Sequence, residues 1–393
     1  MTDATAAGAT AGGSGASGRR VLIAADKFKG SLTAVEVAER VAAGLRRAAP
    51  GVRAEELPVA DGGDGTVAAA VAAGFERRTE RVTGPLGEPV TAAYALRGDT
   101  AVVEMAEASG LRHLPGGRYA PLTAGTYGTG ELLRAALDAG AATVVLGVGG
   151  SASTDGGAGM LSALGARFTD AHGTPLTSGG GPLAGLARAD LSGLDPRLAR
   201  TRVVLASDVD NPLTGPKGAA AVYGPQKGAS PDEVAALDAA LARYARVLAD
   251  TLGPRAAEYT GAPGAGAAGG VGYGALVGLG AAFRPGIEVM LDALGFAAAL
   301  ERADLVITGE GSLDAQTLHG KAPAGVAAAA RRRGVPVAAV CGVLSLSAAE
   351  LRGAGISRAY AIASLERDRE RCMAEAGPLL ERLAERVAAD FLL

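Results

Sequence analysis

Short β-branched runs alternate along the chain with longer stretches whose apolar residues recur at helical spacing. Residues 21–25 (VLIAA) read as a buried strand. Val35, Val37, Ala38, Val41, Ala42 and Leu45 then give one apolar helical face. Thr33 is placed to cap that helix, with Glu36 as its capping-box partner, and Pro50-Gly51 stops it. Residues 53–59 form a second strand, followed by a polar turn and a helix through Phe75. This β-α-β-α start predicts parallel strands with right-handed crossovers.

From about Thr83 the rhythm changes. Residues 90–96 and 101–105 alternate like antiparallel strands. A helix is expected through Ala139, a strand over 143–146, and a helix restarting near Gly156. A strand over 202–206, a helix over 231–252 and a glycine-dense loop over 261–274 follow. After Pro285 the α/β alternation returns. Helices are expected over 287–299 and 320–333, from Ala348 and from about Glu370, with strands over 303–307, 335–340 and 358–362. The pattern predicts a two-domain α/β protein. A discontinuous Rossmann-like parallel-sheet domain (residues 21–82 and 285–393) would carry a large inserted second α/β domain (residues 83–284).

Composition narrows the class. At 393 residues, 48% hydrophobic and 20% charged, the chain is globular. A net charge of −3 gives no basic field for nucleic acid or a membrane surface. No apolar run is long and uncharged enough to span a bilayer. Residues 1–20 hold Ala, Gly, Ser and Thr without an apolar block, which predicts a disordered tail rather than a signal peptide. Cys341 and Cys372 are the only cysteines, which fits a reducing cytoplasm and, with three His, argues against a zinc site.

Polar clusters fall where strands end, which is where open parallel sheets bind ligands. Asp26, Lys27, Lys29 and Ser31 follow the first strand, and Asp61 and Asp64 the second. The lysines suit a carboxylate or phosphate, and the aspartates suit Mg²⁺ or a hydroxyl proton. Gly149, Gly150, Ser151, Asp155 and Gly156 follow the strand over 143–146, in a strand–glycine loop–helix arrangement that brings N–H groups to a phosphate. Asp155 there would hold a metal or cap the helix. Asp208 and Asp210, beside Asn211, read as two carboxylates on one side of an extended segment. Glu310, Asp314 and Lys321 form a further loop whose spacing is not that of a P-loop. The segment GVGGSA at 147–152, with Asp170 downstream, also matches a dinucleotide fingerprint, so a nicotinamide-dependent hydroxy-acid oxidoreductase stays open. A non-catalytic nucleotide-binding protein is the third reading.

Taken in order, these segments resemble the bacterial glycerate kinase family, which phosphorylates D-glycerate with ATP. The matching stretches are IAADKFKGSL (23–32), ADGGDGT (60–66), residues 149–160, DVDNPL (208–213), YGPQKGA (223–229), residues 264–270 and ITGEGSLD (307–314) with Gln316, Thr317, Gly320 and Lys321. Together they span about residues 21–365. The family often has Pro where Ala25 stands and Thr-Asn where Ser153-Thr154 stand. The resemblance implies MgATP and D-glycerate as ligands, 2-phosphoglycerate as product, a cytoplasmic enzyme, and a monomer or homodimer without nucleic-acid or membrane partners. Carried onto this chain, it makes Asp208, Lys27, Lys29 and Asp61 the catalytic candidates, with Asp208 the first choice for accepting the hydroxyl proton. Asp208, Asp210 and Asp64 are the Mg²⁺ candidates. The 149–157 backbone and Lys227 would hold ATP phosphates. The resemblance also implies an active site in the cleft between the two domains, which Glu310 and Asp314 would line.

Overall fold

The computed structural model describes residues 18–393, so residues 1–17 of the tail expected over residues 1–20 lie outside the described residues. Among the described residues thirteen strands occur in chain order. They are β1 (Arg20–Ala25), β2 (Arg53–Glu56), β3 (Glu76–Thr83), β4 (Pro89–Arg97), β5 (Thr100–Glu104), β6 (Thr143–Gly147) and β7 (Arg167–Thr169). The rest are β8 (Arg188–Asp190), β9 (Arg202–Ala206), β10 (Ala282–Arg284), β11 (Leu305–Leu313), β12 (Val337–Leu344) and β13 (Arg358–Ala361).

Five strands form a parallel sheet in the order β13-β12-β11-β1-β2. Alternation along β1 explains its burial on both faces. Val21, Ile23 and Ala25 pack under helices Ala34–Ala48 and Ala376–Phe391, whereas Leu22 and Ala24 join the core under Gly286–Leu294 and Ala322–Arg332. The Thr33 hydroxyl accepts from Glu36 N at 3.2 Å and the Glu36 carboxylate from Thr33 N at 2.8 Å, the expected capping box. A six-stranded sheet runs β10-β9-β6-β5-β4-β3, parallel from β10 to β5 and antiparallel from β5 to β3. β7 and β8 form a separate antiparallel pair.

Several boundaries differ from the sequence pattern. The strand β3 belongs to the six-stranded sheet, so the chain crosses between sheets earlier than residue 83. Its sequence ERRTERVT is mostly exposed at a sheet edge, where polar residues blunt further pairing and hide the alternation. β11 continues through Thr308–Leu313, beyond its expected end, because pairing to β12 reaches Leu313. The glycine-dense stretch is helical from Ala267 to Gly278, entered through left-handed Ala268, Gly269 and Gly270. The helix expected over 287–299 breaks at Gly295, whose φ is +76°. Arg20, placed in the tail, starts β1. Among the described residues no helix is long and apolar enough to cross a membrane.

The two sheets meet along backbone. Leu57 N and Val59 N donate to the carbonyls of Ile23 and Ala25, carrying the chain after β2 along β1. The loop that follows then passes between the ends of β6 and β9. Gly149 N donates to Gly62 O at 3.2 Å. A Cβ on Gly147 would lie 2.7 Å from Gly62 O, and one on Gly149 would overlap Gly63 Cα. Gly62 itself has φ +89° and stands against Ala206 O. From the end of β5, the buried Glu104 carboxylate accepts from Gly65 N at 3.2 Å and Val67 N at 3.1 Å, holding the start of helix Thr66–Ala72. Burial pushes the Glu104 pKa up to about 7, against the Val67 N–H that favours the charged form.

Two outcomes follow from this seam. Gly149→Ala should destabilise the protein by about 1–3 kcal/mol in denaturant titration, through the overlap with Gly63. Glu104→Gln tests the buried charge. A carboxyl whose folded pKa is raised stabilises fully below its unfolded value, near 4.5, and loses that contribution as pH rises through about 7. Melting temperatures of wild type and Glu104→Gln should therefore diverge in favour of Gln between pH 4.5 and 7, then run parallel; a constant difference across that window would show that Glu104 is charged throughout.

Candidate active site

Two adjoining chambers open at the seam. One, about 780 Å³, is lined by the C-terminal ends of β11 and β12 and the loops after β1 and β13; the other, about 610 Å³, by the loops after β5, β6 and β9. Lys29, Asp61, Gly63, Asp64 and Gly150 line both. All these loops leave the C-terminal ends of parallel strands, the side on which such sheets bind ligands.

The β1 loop supplies Asp26 and Lys27 where the buried VLIAA run ends. Lys27 Nζ donates to Asp64 O at 2.7 Å and lies 3.6 Å from the Asp26 carboxylate. Burial works to lower the Lys27 pKa, and the carboxylates of Asp26, Asp61, Asp64 and Glu104 outweigh it, leaving it above the ordinary lysine value. Asp26 is pushed up to about 7 by burial, with Asp61 and Glu310 adding repulsion and Lys27 opposing it. Lys29 is exposed at the junction. The Ser31 hydroxyl donates to Phe28 O at 3.1 Å and shapes the turn.

Asp208 follows β9. One carboxylate oxygen accepts from Gly286 N at 2.7 Å, and the other is buried without a partner. Burial first, then the Asp61 carboxylate, raise its pKa to about 7, against the N–H groups of Gly286 and Ile287. Across the cleft Glu310 accepts from the Thr317 hydroxyl at 2.5 Å, and burial again raises its pKa. Lys321 lines the larger chamber and donates to the Gln316 side chain at 3.3 Å.

Lys227 is almost fully buried, and its ammonium donates to Ser151 Oγ at 2.8 Å and Ser153 O at 2.5 Å. Burial lowers its pKa to about 7, with Asp155 opposing. It braces the glycine loop from within while lining the smaller chamber.

Thus the chambers bring together Asp26, Lys27, Lys29, Ser31, Asp61, Asp64, Gly149, Gly150, Ser151, Asp208, Lys227, Glu310 and Lys321. Five sequence candidates line neither. Asp155 is fully buried and accepts from Thr126 N, the Thr126 hydroxyl, Gly157 N and Gly159 N, so it caps rather than faces a ligand. Gly156 packs against Tyr244. Asp210 is exposed, because the chain leaves β9 at Ala206 and strand alternation no longer holds Asp208 and Asp210 on one side. Asn211 is engaged by Lys217 O and the Tyr223 hydroxyl, and Tyr223 lines the smaller chamber. Asp314 accepts from Gln316 N within its own turn. Asp170, which the dinucleotide reading needs for ribose, accepts from His172 N and Thr174 N in an exposed turn.

Glu104 and Arg112 had no assigned role in the sequence. Glu104 closes the buried run TAVVE as Asp26 follows VLIAA, and that shared strand-end position was the available signal. Arg112 lines the smaller chamber and pairs with Glu107 at 2.6 Å. Among the described residues no three His, Cys, Asp or Glu side chains converge on a metal position. Magnesium commonly rests on one or two carboxylates plus substrate phosphates. Asp61, which repels both Asp26 and Asp208, and Asp64 on the same loop line both chambers and fit that mode.

The family model described as "Glycerate kinase family" matches residues 21–392. The chain is 47% identical over 377 residues to a glycerate kinase of Bacillus subtilis, covering 95% of this chain and 98% of the relative. It is 44% identical over 347 residues to the glycerate 2-kinase of Escherichia coli, covering 87% and 90%. A crystal structure assigned to glycerate kinase 2 of Salmonella typhimurium LT2 superposes with a TM-score of 0.82 at 45% identity, covering 95% of this chain and 98% of that one. With the match spanning both sheets and every loop that lines the two chambers, this chain belongs to the glycerate kinase family.

Proposed function

We propose that this protein transfers the γ-phosphoryl group of MgATP to D-glycerate, and that Asp208 accepts the proton of the attacking hydroxyl. The observation that carries the mechanism is the Asp208 carboxylate, with one oxygen fixed by Gly286 N and the other unpartnered beside the cleft. A carboxylate with a pKa near 7 is matched to proton transfer at neutral pH. The glycerate oxygen forms the new P–O bond, the bond from the γ-phosphorus to the bridging oxygen breaks, and ADP leaves with that electron pair. Phosphoryl transfer asks for positioning and charge neutralisation rather than covalent help. Lys29 and Lys321 supply cations at the cleft, and Lys27 fixes the Asp64 backbone. When bound, Mg²⁺ neutralises phosphate charge, and Asp61 and Asp64 are the carboxylates that would hold it.

Transfer to the 2-hydroxyl, giving 2-phosphoglycerate, is the favoured outcome, supported by the likeness to the E. coli glycerate 2-kinase. One chain lines both chambers, so a monomer suffices for the chemistry and a homodimer stays compatible with it. The free thiols of Cys341 and Cys372 suit a reducing cytoplasm.

Purified protein with MgATP and D-glycerate should give 2-phosphoglycerate, identified by phosphorus NMR; nicotinamide reduction without ATP use would replace this reading. Asp208→Asn should lower kcat by about 10²–10⁴-fold with nucleotide affinity within about twofold of wild type. Wild-type turnover in that variant would remove Asp208 from the proton transfer.

A further inference from the structure

The five-stranded sheet reverses its winding between β1 and β11. The chain leaves β1 through helix Ala34–Ala48 to reach β2 on one side, and leaves β11 through helix Ala322–Arg332 to reach β12 on the other. The helices lie on opposite faces, one packed on Val21, Ile23 and Ala25, the other sharing a core with Leu22 and Ala24. A crevice opens at such a reversal, beyond the C-terminal strand ends, and open α/β sheets take ligands there. In the six-stranded sheet β5, β6, β9 and β10 succeed one another in a single direction, without a reversal.

On the kinase reading above, we propose that ATP binds the five-stranded sheet, with its adenosine against Val343, Ile362, Ala363 and Met373, and that glycerate occupies the smaller chamber with its carboxylate toward Arg112. The phosphates of ATP then point to the shared junction at Lys29, Asp61 and Asp64. Three observations support this division. Val343 and Met373 are 51% and 42% exposed, two of the few large apolar side chains among the described residues left open to water, and both line the larger chamber. That chamber also holds Arg367 and Arg369, whose guanidinium groups suit stacking on a purine. The smaller chamber offers the Gly149–Ser151 backbone, Ser207 and Arg112, and none of its lining residues is an exposed large apolar one. A planar guanidinium matches a carboxylate in two-pronged geometry. Lys227, already bonded to Ser151 and Ser153, acts there as a brace of the loop.

Ala363 and Met373 are exposed, so bulk or charge at either position is tolerated by the fold and read by the ligand. KM values for ATP and D-glycerate are measured for wild type, Ala363→Trp and Met373→Glu, with melting temperatures confirming that each variant folds. Wild-type turnover first establishes the kinase reading, and its absence would end that reading rather than test the division. The expected result is a rise of about tenfold or more in the KM for ATP in the folded variants, with the KM for D-glycerate within about twofold of wild type. An unchanged KM for ATP, or a rise in the KM for D-glycerate as large as that for ATP, overturns the division. Either variant alone suffices if the other fails to fold.

Discussion

The structure depends on backbone meeting backbone where the 61–67 loop threads between the two sheets. Gly62 and Gly63 lie directly against Gly147, Gly149 and Ala206. At these points there is no room for a side chain, so the loop meets the six-stranded sheet by main-chain contact, beside a shared core in which helices Thr66–Ala72 and Gly286–Leu294 pack between the two sheets. Such contact tolerates little volume change, since close-packed interiors transmit strain instead of absorbing it. It also sets the distances between reacting groups. Asp61 and Asp64 stand on this loop, and Asp208 is fixed to Gly286 N, whose residue lies against Asp61 O.

Charge is the second constraint, and it follows from the first. Bringing the strand ends together crowds Asp26, Asp61, Asp208 and Glu310 into one cleft, and Glu104 lies buried beside it. Burial and mutual repulsion raise the pKa values of Asp26 and Asp208, while Lys27 is held charged by the same carboxylates. A cleft with this excess of carboxylates repels a bare triphosphate. On the reading proposed above, it would take one whose charge is reduced by a divalent cation, with the flanking lysines completing the neutralisation. Asp208 and Glu104 each keep one buried carboxylate oxygen without a hydrogen-bond partner, and these mark the unbalanced state, because buried polar groups are ordinarily satisfied.

Much of this was legible in the sequence, and the parts that were not share a cause. Strand-end clusters such as Asp26–Lys29 and Asp61–Asp64 stood out because a buried apolar run stops abruptly at a charge, and both line the chambers. Glycine-rich segments misled. The same composition makes the loop at 149–151, the left-handed entry to helix Ala267–Gly278 and the pairing of β11 with β12. Only the neighbour facing each glycine separates these cases, and the neighbour is remote in sequence. Asp155 was left between capping and ligand holding for a related reason. A buried acid that caps a helix and an acid that holds a ligand look alike until the donors around it, here Thr126, Gly157 and Gly159, are known. The strand β3 escaped notice because an exposed edge needs no apolar alternation.

The loop at the seam is anchored from both sides, and that determines which parts of the site are free to respond to a ligand. Leu57 N and Val59 N root it in the five-stranded sheet beside β1, and Gly149 N and the Glu104 carboxylate hold its tip to the six-stranded sheet. Lys27 adds a third tie at Asp64 O. Asp61 and Asp64 therefore keep their places relative to both chambers before any substrate arrives, as electrostatic preorganisation requires. On the outer walls it is the side chains that are open: Val343 and Met373 are exposed to solvent, although Val343 lies on the paired strand β12, and Arg112 pairs with Glu107 at 2.6 Å and with Glu104 at 4.0 Å. On the reading proposed above, rigid backbone fixes the groups assigned to the transferring phosphoryl, while exposed side chains on either sheet are left to select what is brought to them.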